Sequence, residues 1–211
     1  MCRDPHRQAE GRRREYTIDP DGPKPVYDSF DVTCNMTTKG GGWTGISRCT
    51  AQKELRGRIK TVVSGSSVGI DKQCRPHARD RNGSHNYLYT FDFPGGFSEF
   101  YLKNFAVEAD AHGFRDTSEL NQGKEYGTWT QKNPVPNDIA FGSGAFAKPT
   151  TSYVRQLSKK KECKSCTIPW PADGKIFKMK SRANSFRIGF AEGGGQDEGW
   201  IVWTKGMIYV R

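Results

Sequence analysis

Three consecutive glycines, Gly40 to Gly42, separate Cys34 from Trp43 in the stretch CNMTTKGGGWTGIS. No other feature of the chain restricts its backbone so strongly. A residue without Cβ reaches positive φ freely and lets other atoms approach its bare backbone, so this segment is a tight turn or a close crossing. The tryptophan beside it offers one large ring at the start of a core. The cysteine marks the turn as stapled to something else.

The composition around this motif is that of a sheet protein. Only 34% of the 211 residues are apolar, but twelve Phe, eight Tyr and five Trp concentrate that share in large rings, and 24 Gly and 11 Pro interrupt it. A β-rich, loop-heavy domain fits this balance better than a helical bundle, and the length suits a single domain over residues 1–211 with a sizeable core. No stretch approaches the roughly twenty apolar residues that a membrane-spanning helix needs. The opening MCRDPHRQAE is polar and charged, unlike a secretory leader.

Six cysteines, Cys2, Cys34, Cys49, Cys74, Cys163 and Cys166, are compatible with free thiols, metal ligands or three disulfides. Asn35-Met36-Thr37 and Asn82-Gly83-Ser84 both match the glycosylation acceptor, which matters only in a secreted chain. Together these features predict an oxidised, extracellular protein, either secreted or an ectodomain of a larger chain, with its export signal upstream of this sequence. The net charge of +10 calls for a polyanionic neighbour: a sulfated glycan, an acidic membrane surface or a nucleic acid.

Strands are expected at EYTI, VYDSFDVTC and WTGISR. The segment AQKELRGRIKTVV places Leu55, Ile59 and Val62 on one face of a short helix, and CRPHARDRNGSH reads as a loop. NYLYTFDF alternates strictly, with Tyr87, Tyr89, Phe91 and Phe93 on one side. SEFYLKNFAVEA follows, with Phe100 and Leu102 on one face and Phe105 and Val107 on the other, and the two segments read as a hairpin across PGG. Residues 110–175 are irregular, with isolated aromatics at Trp129, Phe141 and Phe146, and are the expected place for binding loops. KIFKMK, SFRIGF and WIVWTKGMIYVR return to strand patterns, with Phe186, Ile188 and Phe190 on one face and TKG as the last turn. There is no internal repeat.

The N-terminal motifs resemble the opening of a fibrinogen-like C-terminal domain. The residues that carry the resemblance are Cys2, then Tyr16, Ile18 and Pro20, then Cys34 and Met36, then Gly40 to Thr44, so it covers mainly residues 2–46. It implies an α+β fold with antiparallel sheets, few short helices and long loops. In that fold residues 1–48 form an N-terminal β-unit closed by a Cys2–Cys34 disulfide, and 49–211 the main sheet and binding loops. A staple of this span stabilises by roughly 3–4 kcal/mol through loop-closure entropy. The family's Asp-x-Asp calcium loop before a late cysteine pair has no counterpart here. Cys163 and Cys166 follow LSKKKE, whose ammonium groups repel a cation that needs several oxygen ligands. No cofactor is therefore expected at that place, and the acetyl-binding pocket of the family's ficolin-like lectins does not carry over. The C-terminal GWIVWTKGMIYV only faintly echoes the family's ending, so the chain resembles a divergent member.

Several motifs are candidates for chemistry. Lys159, Lys160, Lys161 and Lys164 cluster in SKKKECKS, and Arg12, Arg13 and Arg14 in GRRRE. Such clusters match the charge density of heparan-type chains, although a solvated loop of like charges has the same appearance. In FAEGGGQDEGW, Glu192, Asp197 and Glu198 offer oxygens to calcium or a sugar and Trp200 a stacking ring, against the simpler reading of a solvated loop tip. Cys163-Lys-Ser-Cys166 leads into a Pro-rich loop rather than the helix of a redox motif, and Cys49 and Cys74 lack the paired spacing of zinc ligands. Cys49–Cys74 with Cys163–Cys166 is the favoured arrangement; crossed pairings stay open. The DPDG at Asp19 to Gly22 begins like a calcium loop but lacks its closing Glu, and reads as a turn.

His6, His77, His85 and His112 all stand in polar stretches without a nucleophile motif, so no enzyme is expected. The sequence as a whole predicts a non-catalytic extracellular module that binds glycan or sulfated polysaccharide, with calcium dependence open and no nucleic acid as partner. A module for adhesion to extracellular proteins is the alternative.

Overall fold

The computed structural model describes residue 2 and residues 14–22, 26–61, 67–79, 86–111, 125–126, 138–143, 153–155, 166–169, 173–191 and 198–211. In chain order they form β1 (Arg14–Ile18), β2 (Phe30–Asn35), β3 (Trp43–Ile46), α1 (Arg48–Lys53), β4 (Arg58–Thr61), β5 (Ser67–Ile70), β6 (Pro76–Arg79), β7 (Asn86–Ala111), β8 (Glu125–Tyr126), β9 (Asp138–Ser143), β10 (Tyr153–Arg155), β11 (Cys166–Pro169), β12 (Phe177–Ala191) and β13 (Glu198–Val210). The molecule is mostly antiparallel sheet with one short helix among the described residues. No helix among them is long and apolar enough to cross a membrane.

The central path of the sheet runs β1-β2-β3-β13-β7-β12-β9-β10-β8. Chain ends therefore meet in the middle: β3 pairs with the last turn of β13, Thr44 opposite Val210 and Ile46 opposite Ile208. Burial in β2 alternates, with Phe30, Val32 and Cys34 inward, as the two-residue period of a half-buried strand requires. The Cys2–Cys34 disulfide, Cα atoms 5.8 Å apart, ties the N-terminal residues to β2. Cys2 also donates its backbone N–H to Thr44 Oγ1.

The main core lies on one face and is built from aromatic rings: Tyr89, Phe91, Phe93, Phe97, Phe100, Phe105, Phe186 and Trp203 are all buried there. Phe91 stacks on Phe186 at 5.4 Å, and Phe100 meets Phe186 edge-on at 5.1 Å. On the opposite face Trp43, Tyr101 and Tyr209 form a second cluster. Tyr101 and Tyr209 face one another across the β7–β13 ladder and stack at 4.7 Å.

Several expectations are corrected. The chain does not reverse at Pro94-Gly95-Gly96: β12 pairs with both halves of one long β7, Phe186 with Phe91 and Phe177 with Phe100, across register shifts. Gly96, at φ 65°, bends the strand instead, and Arg182 donates to the carbonyls of Gly95 and Gly96 inside the bend. Likewise Thr204-Lys205-Gly206 is a bulge within β13, with Gly206 at φ 88° against Asn104 at φ 51°. Across from it β7 has an extra residue of its own: Asn104 and Phe105 lie between the partners of Met207 and Lys205, where β13 has only Gly206. This returns Phe105 to the main core beside Phe100 and Leu102 rather than to the other face.

The helix is earlier and shorter than its apolar spacing predicts. Ser47 caps α1 by accepting from the Thr50 N–H, and Gly57 N–H, donating to Ala51 O, closes its end. Ile59 belongs to β4. Within the stretch expected to be a loop, Pro76–Arg79 pairs with β5 as a hairpin. Asp71 holds its turn by accepting from the N–H groups of Gln73 and Arg75. The Cys49–Cys74 disulfide anchors this hairpin to α1.

Candidate functional site

The triple glycine resolves into a left-handed run: Gly40, Gly41 and Gly42 have φ of 88°, 70° and 74°. A Cβ on Gly41 would strike the Met36 backbone. Asn35 organises the turn. Its Oδ1 accepts from the N–H groups of Thr37 and Thr38, and its Nδ2 donates to Thr38 Oγ1 and Tyr101 OH, both at 2.7 Å. The amide nitrogen that a glycan would modify is thus engaged in the turn. Arg211 then clasps the loop from the other end of the chain. It donates to Lys39 O and Gly41 O at 2.9 Å, pairs with Glu99 at 2.6 Å and covers the Trp43 ring. This assembly is structural: its polar groups are satisfied by one another.

An open cleft of about 410 Å³ lies elsewhere, between the turn after β1 and the bend of β7. The DPDG turn builds one wall. Asp19 Oδ1 accepts from the Asp21 N–H, Asp21 Oδ2 accepts from the Val26 N–H, and Gly22 takes φ 68°. Asp21 Oδ1 is buried and has no hydrogen-bond partner among the described residues. Val26 and Tyr27 continue this wall, and Pro94 with Gly95 form the facing one. Val26 is 53% exposed, one of two large apolar side chains among the described residues that stand out into solvent.

Basic side chains frame the aromatic side of the cleft. The Arg56 guanidinium lies 4.5 Å from the centroid of the Tyr27 ring and donates to Val26 O at 3.1 Å. Tyr27 OH donates to Asp92 Oδ2, and Arg58 forks onto both oxygens of Asp92 at 3.1 and 3.0 Å. Burial and the Asp92 carboxylate raise the Tyr27 phenol above its ordinary value despite the opposing charge of Arg56. Tyr27 therefore stays a hydrogen-bond donor across the physiological range. An apolar wall, an aromatic residue and the Asp21 carboxylate line this open depression, and Arg56 lies against two of its wall residues, Tyr27 and Val26. Such a combination is a means of binding a small polar ligand.

The residues singled out from the sequence fall mostly elsewhere. Arg12, Arg13, Asn82, Lys159, Lys160, Lys161, Cys163, Lys164, Glu192 and Asp197 lie outside the described residues. Arg14 opens β1, paired with Cys34, and Cys166 opens β11, paired with Ala109. Glu198 and Trp200, read as part of a loop, lie in strand β13 opposite Ala111 and Ala109. Of the described candidates, Arg14, Cys166, Glu198 and Trp200, none lines the cleft. Among the described residues no group of three His, Cys, Asp or Glu side chains could hold a metal ion.

No sequence motif marks Asp21, Tyr27, Arg56 and Asp92 as one site, although Asp21 falls in the DPDG stretch that begins like a calcium loop. The first two stand in a segment that reads as a turn and a strand, and Arg56 belongs to the basic surface. Their one local signal is an aromatic directly after a Pro- and Gly-punctuated acidic turn. No protein-family model and no curated protein matches the chain.

Proposed function

We propose that the chain is a non-catalytic extracellular recognition module, a divergent fibrinogen-like domain, that binds anionic glycans. The observation that carries this reading is the cleft whose Tyr27 ring is capped by the Arg56 guanidinium, in a chain of net charge +10. Two disulfides support an oxidising location. Sugar rings pack their C–H faces on apolar and aromatic walls, and sulfates or carboxylates match the guanidinium fork. The clusters at Arg12–Arg14 and Lys159–Lys161 add the non-directional attraction that gathers a polyanion.

The test is elution from heparin against a cation exchanger of matched charge density. A specific module needs clearly more salt on heparin, and changing Lys159, Lys160 and Lys161 to Ala narrows the difference. Equal elution from both resins reduces the basic residues to general charge and leaves protein adhesion as the reading to pursue.

A further inference from the structure

We propose that the cleft between the DPDG turn and the β7 bend seats one anionic saccharide unit, with Arg56 reading its charged substituent. This rests on the glycan-binding reading and assigns that reading a place. Four observations converge on it.

The first is size and lining. At about 410 Å³ the cleft falls within the roughly 300–1,000 Å³ of small-molecule sites. Its walls join apolar surface from Val26 and Pro94 to the Tyr27 ring. The second is preorganisation. Arg56 is exposed, yet it is held by stacking on Tyr27 and by its bond to Val26 O. An oriented fork loses little freedom when it meets a sulfate or carboxylate. Its remaining N–H groups have no acceptor among the described residues.

The third is charge separation around the site. Arg58 neutralises Asp92 through a two-pronged pair. The carboxylate nearest Tyr27 is thereby occupied, which leaves Arg56, held on the wall residues Tyr27 and Val26, to meet an anionic substituent and the Asp21 carboxylate of the lining to accept from a hydroxyl. The fourth is Asp21, whose Oδ1 is buried without a partner among the described residues. A buried acceptor of this kind is satisfied by a donor that the occupant brings, and the hydroxyl of a sugar is such a donor. An inorganic anion has none.

Backbone conformation also bears on the choice of variant. Arg56 has φ 53°, in the left-handed region that only glycine and, less readily, asparagine and aspartate adopt without strain. Arg56→Asn therefore removes the guanidinium while easing the backbone. Val26→Trp fills the cleft from an exposed position outside the core.

The experiment titrates the full chain with three probes: a sulfated, uronate-containing disaccharide, its desulfated counterpart and inorganic sulfate. Binding is followed by calorimetry or chemical shift, and folding is checked by the thermal midpoint of each variant. The wild-type chain is expected to prefer the sulfated disaccharide over both other probes by at least tenfold. Arg56→Asn and Val26→Trp each lose at least tenfold in affinity for it, whereas the Lys159/Lys160/Lys161→Ala chain keeps its disaccharide affinity and loses only heparin retention. Disaccharide binding unchanged in both cleft variants overturns the site. So does inorganic sulfate binding as tightly as the disaccharide. If the wild-type chain shows specific heparin retention while the cleft variants bind as it does, the site alone fails. If the wild-type chain is retained on heparin no better than on the matched exchanger, the glycan reading itself fails.

Discussion

The guanidinium carbon of Arg211 lies 4.2 Å from the centroid of the Trp43 ring. Through this contact the last residue of the chain covers the first large ring after the triple glycine. The same side chain bonds Glu99, Lys39 O and Gly41 O, and its backbone exchanges hydrogen bonds with Glu99. The N-terminal unit is thus held to the centre of the sheet by one arginine as well as by the β3–β13 ladder. Arg211→Ala removes a cation–π contact and three charge-assisted bonds at a partly exposed site. A loss of about 2 kcal/mol is expected by urea denaturation. Arg211→Lys keeps the charge but cannot fork between Glu99 and two carbonyls, and recovers less than half of that loss.

Glu99 gives the clasp a pH dependence. Burial by itself raises its carboxyl, but the hydrogen bond and charge of Arg211, with Lys178, outweigh this and hold it below its ordinary 4.5. Asp71 is also held below its ordinary 3.8, burial being outweighed by bonds from Arg75 and Gln73. A carboxyl depressed in the folded state contributes stability that is present above its unfolded value and lost as pH falls through its folded value. Urea midpoints are therefore expected to fall as the pH drops below 4.5 and then below 3.8. Glu99→Gln flattens the upper part of this acid limb. An identical limb in that variant would remove Glu99 from the account.

What could be read in the sequence was what local spacing determines. Alternation placed Tyr89, Phe91 and Phe93 on one buried face, and the same period served for Phe186 and Ile188. Both glycine-marked steps in the long strands are bulges or bends where the sequence suggests reversals. A Pro-Gly-Gly or Lys-Gly step looks the same in sequence whether the chain reverses or bulges, and only pairing with β12 or β7 decides it. The Phe105 face depended on that same decision. Leu55 is buried as its apolar character suggests, but beyond the end of α1. The cleft was not legible at all, because Tyr27, Arg56 and Pro94 come from three separate elements and meet only in the fold.

Two glycines of nearly equal φ differ in their surroundings, and Gly41, with ψ −159°, also lies in a region essentially reserved for glycine. Gly22 and Gly41 have φ of 68° and 70°. A Cβ on Gly22 has nothing within 4 Å, whereas on Gly41 it would stand 2.8–2.9 Å from Met36 backbone atoms. Gly22→Ala is expected to cost only the left-handed penalty of roughly 1 kcal/mol. Gly41→Ala adds displacement of a backbone that Asn35 and Arg211 both hold, for a total above about 3 kcal/mol. Paired denaturation curves measure the difference. Equal losses would mean that the triple-glycine turn yields without resistance.

The two described disulfides should differ in the order of their reduction. Cys2 and Cys34 are 6% and 1% exposed, and Cys34 sits beneath the β1–β2 ladder. Cys74 is equally covered, but its partner Cys49 is half-buried at the exposed start of α1, its sulfur near the Gln73 carbonyl. Thiol exchange requires in-line approach to a sulfur, so access governs which bond opens while the fold is intact. Limited treatment with a small dithiol, alkylation and peptide mapping should label Cys49 and Cys74 before Cys2 and Cys34. The sequence separations are 32 and 25 residues, so the entropic loss on breaking either is similar, roughly 3–4 kcal/mol. Thermodynamics alone would therefore give no order. Labelling at Cys2 and Cys34 first would mean that the N-terminal staple opens to solvent more readily than its burial implies, and with it the grip of the first strand pair on the sheet.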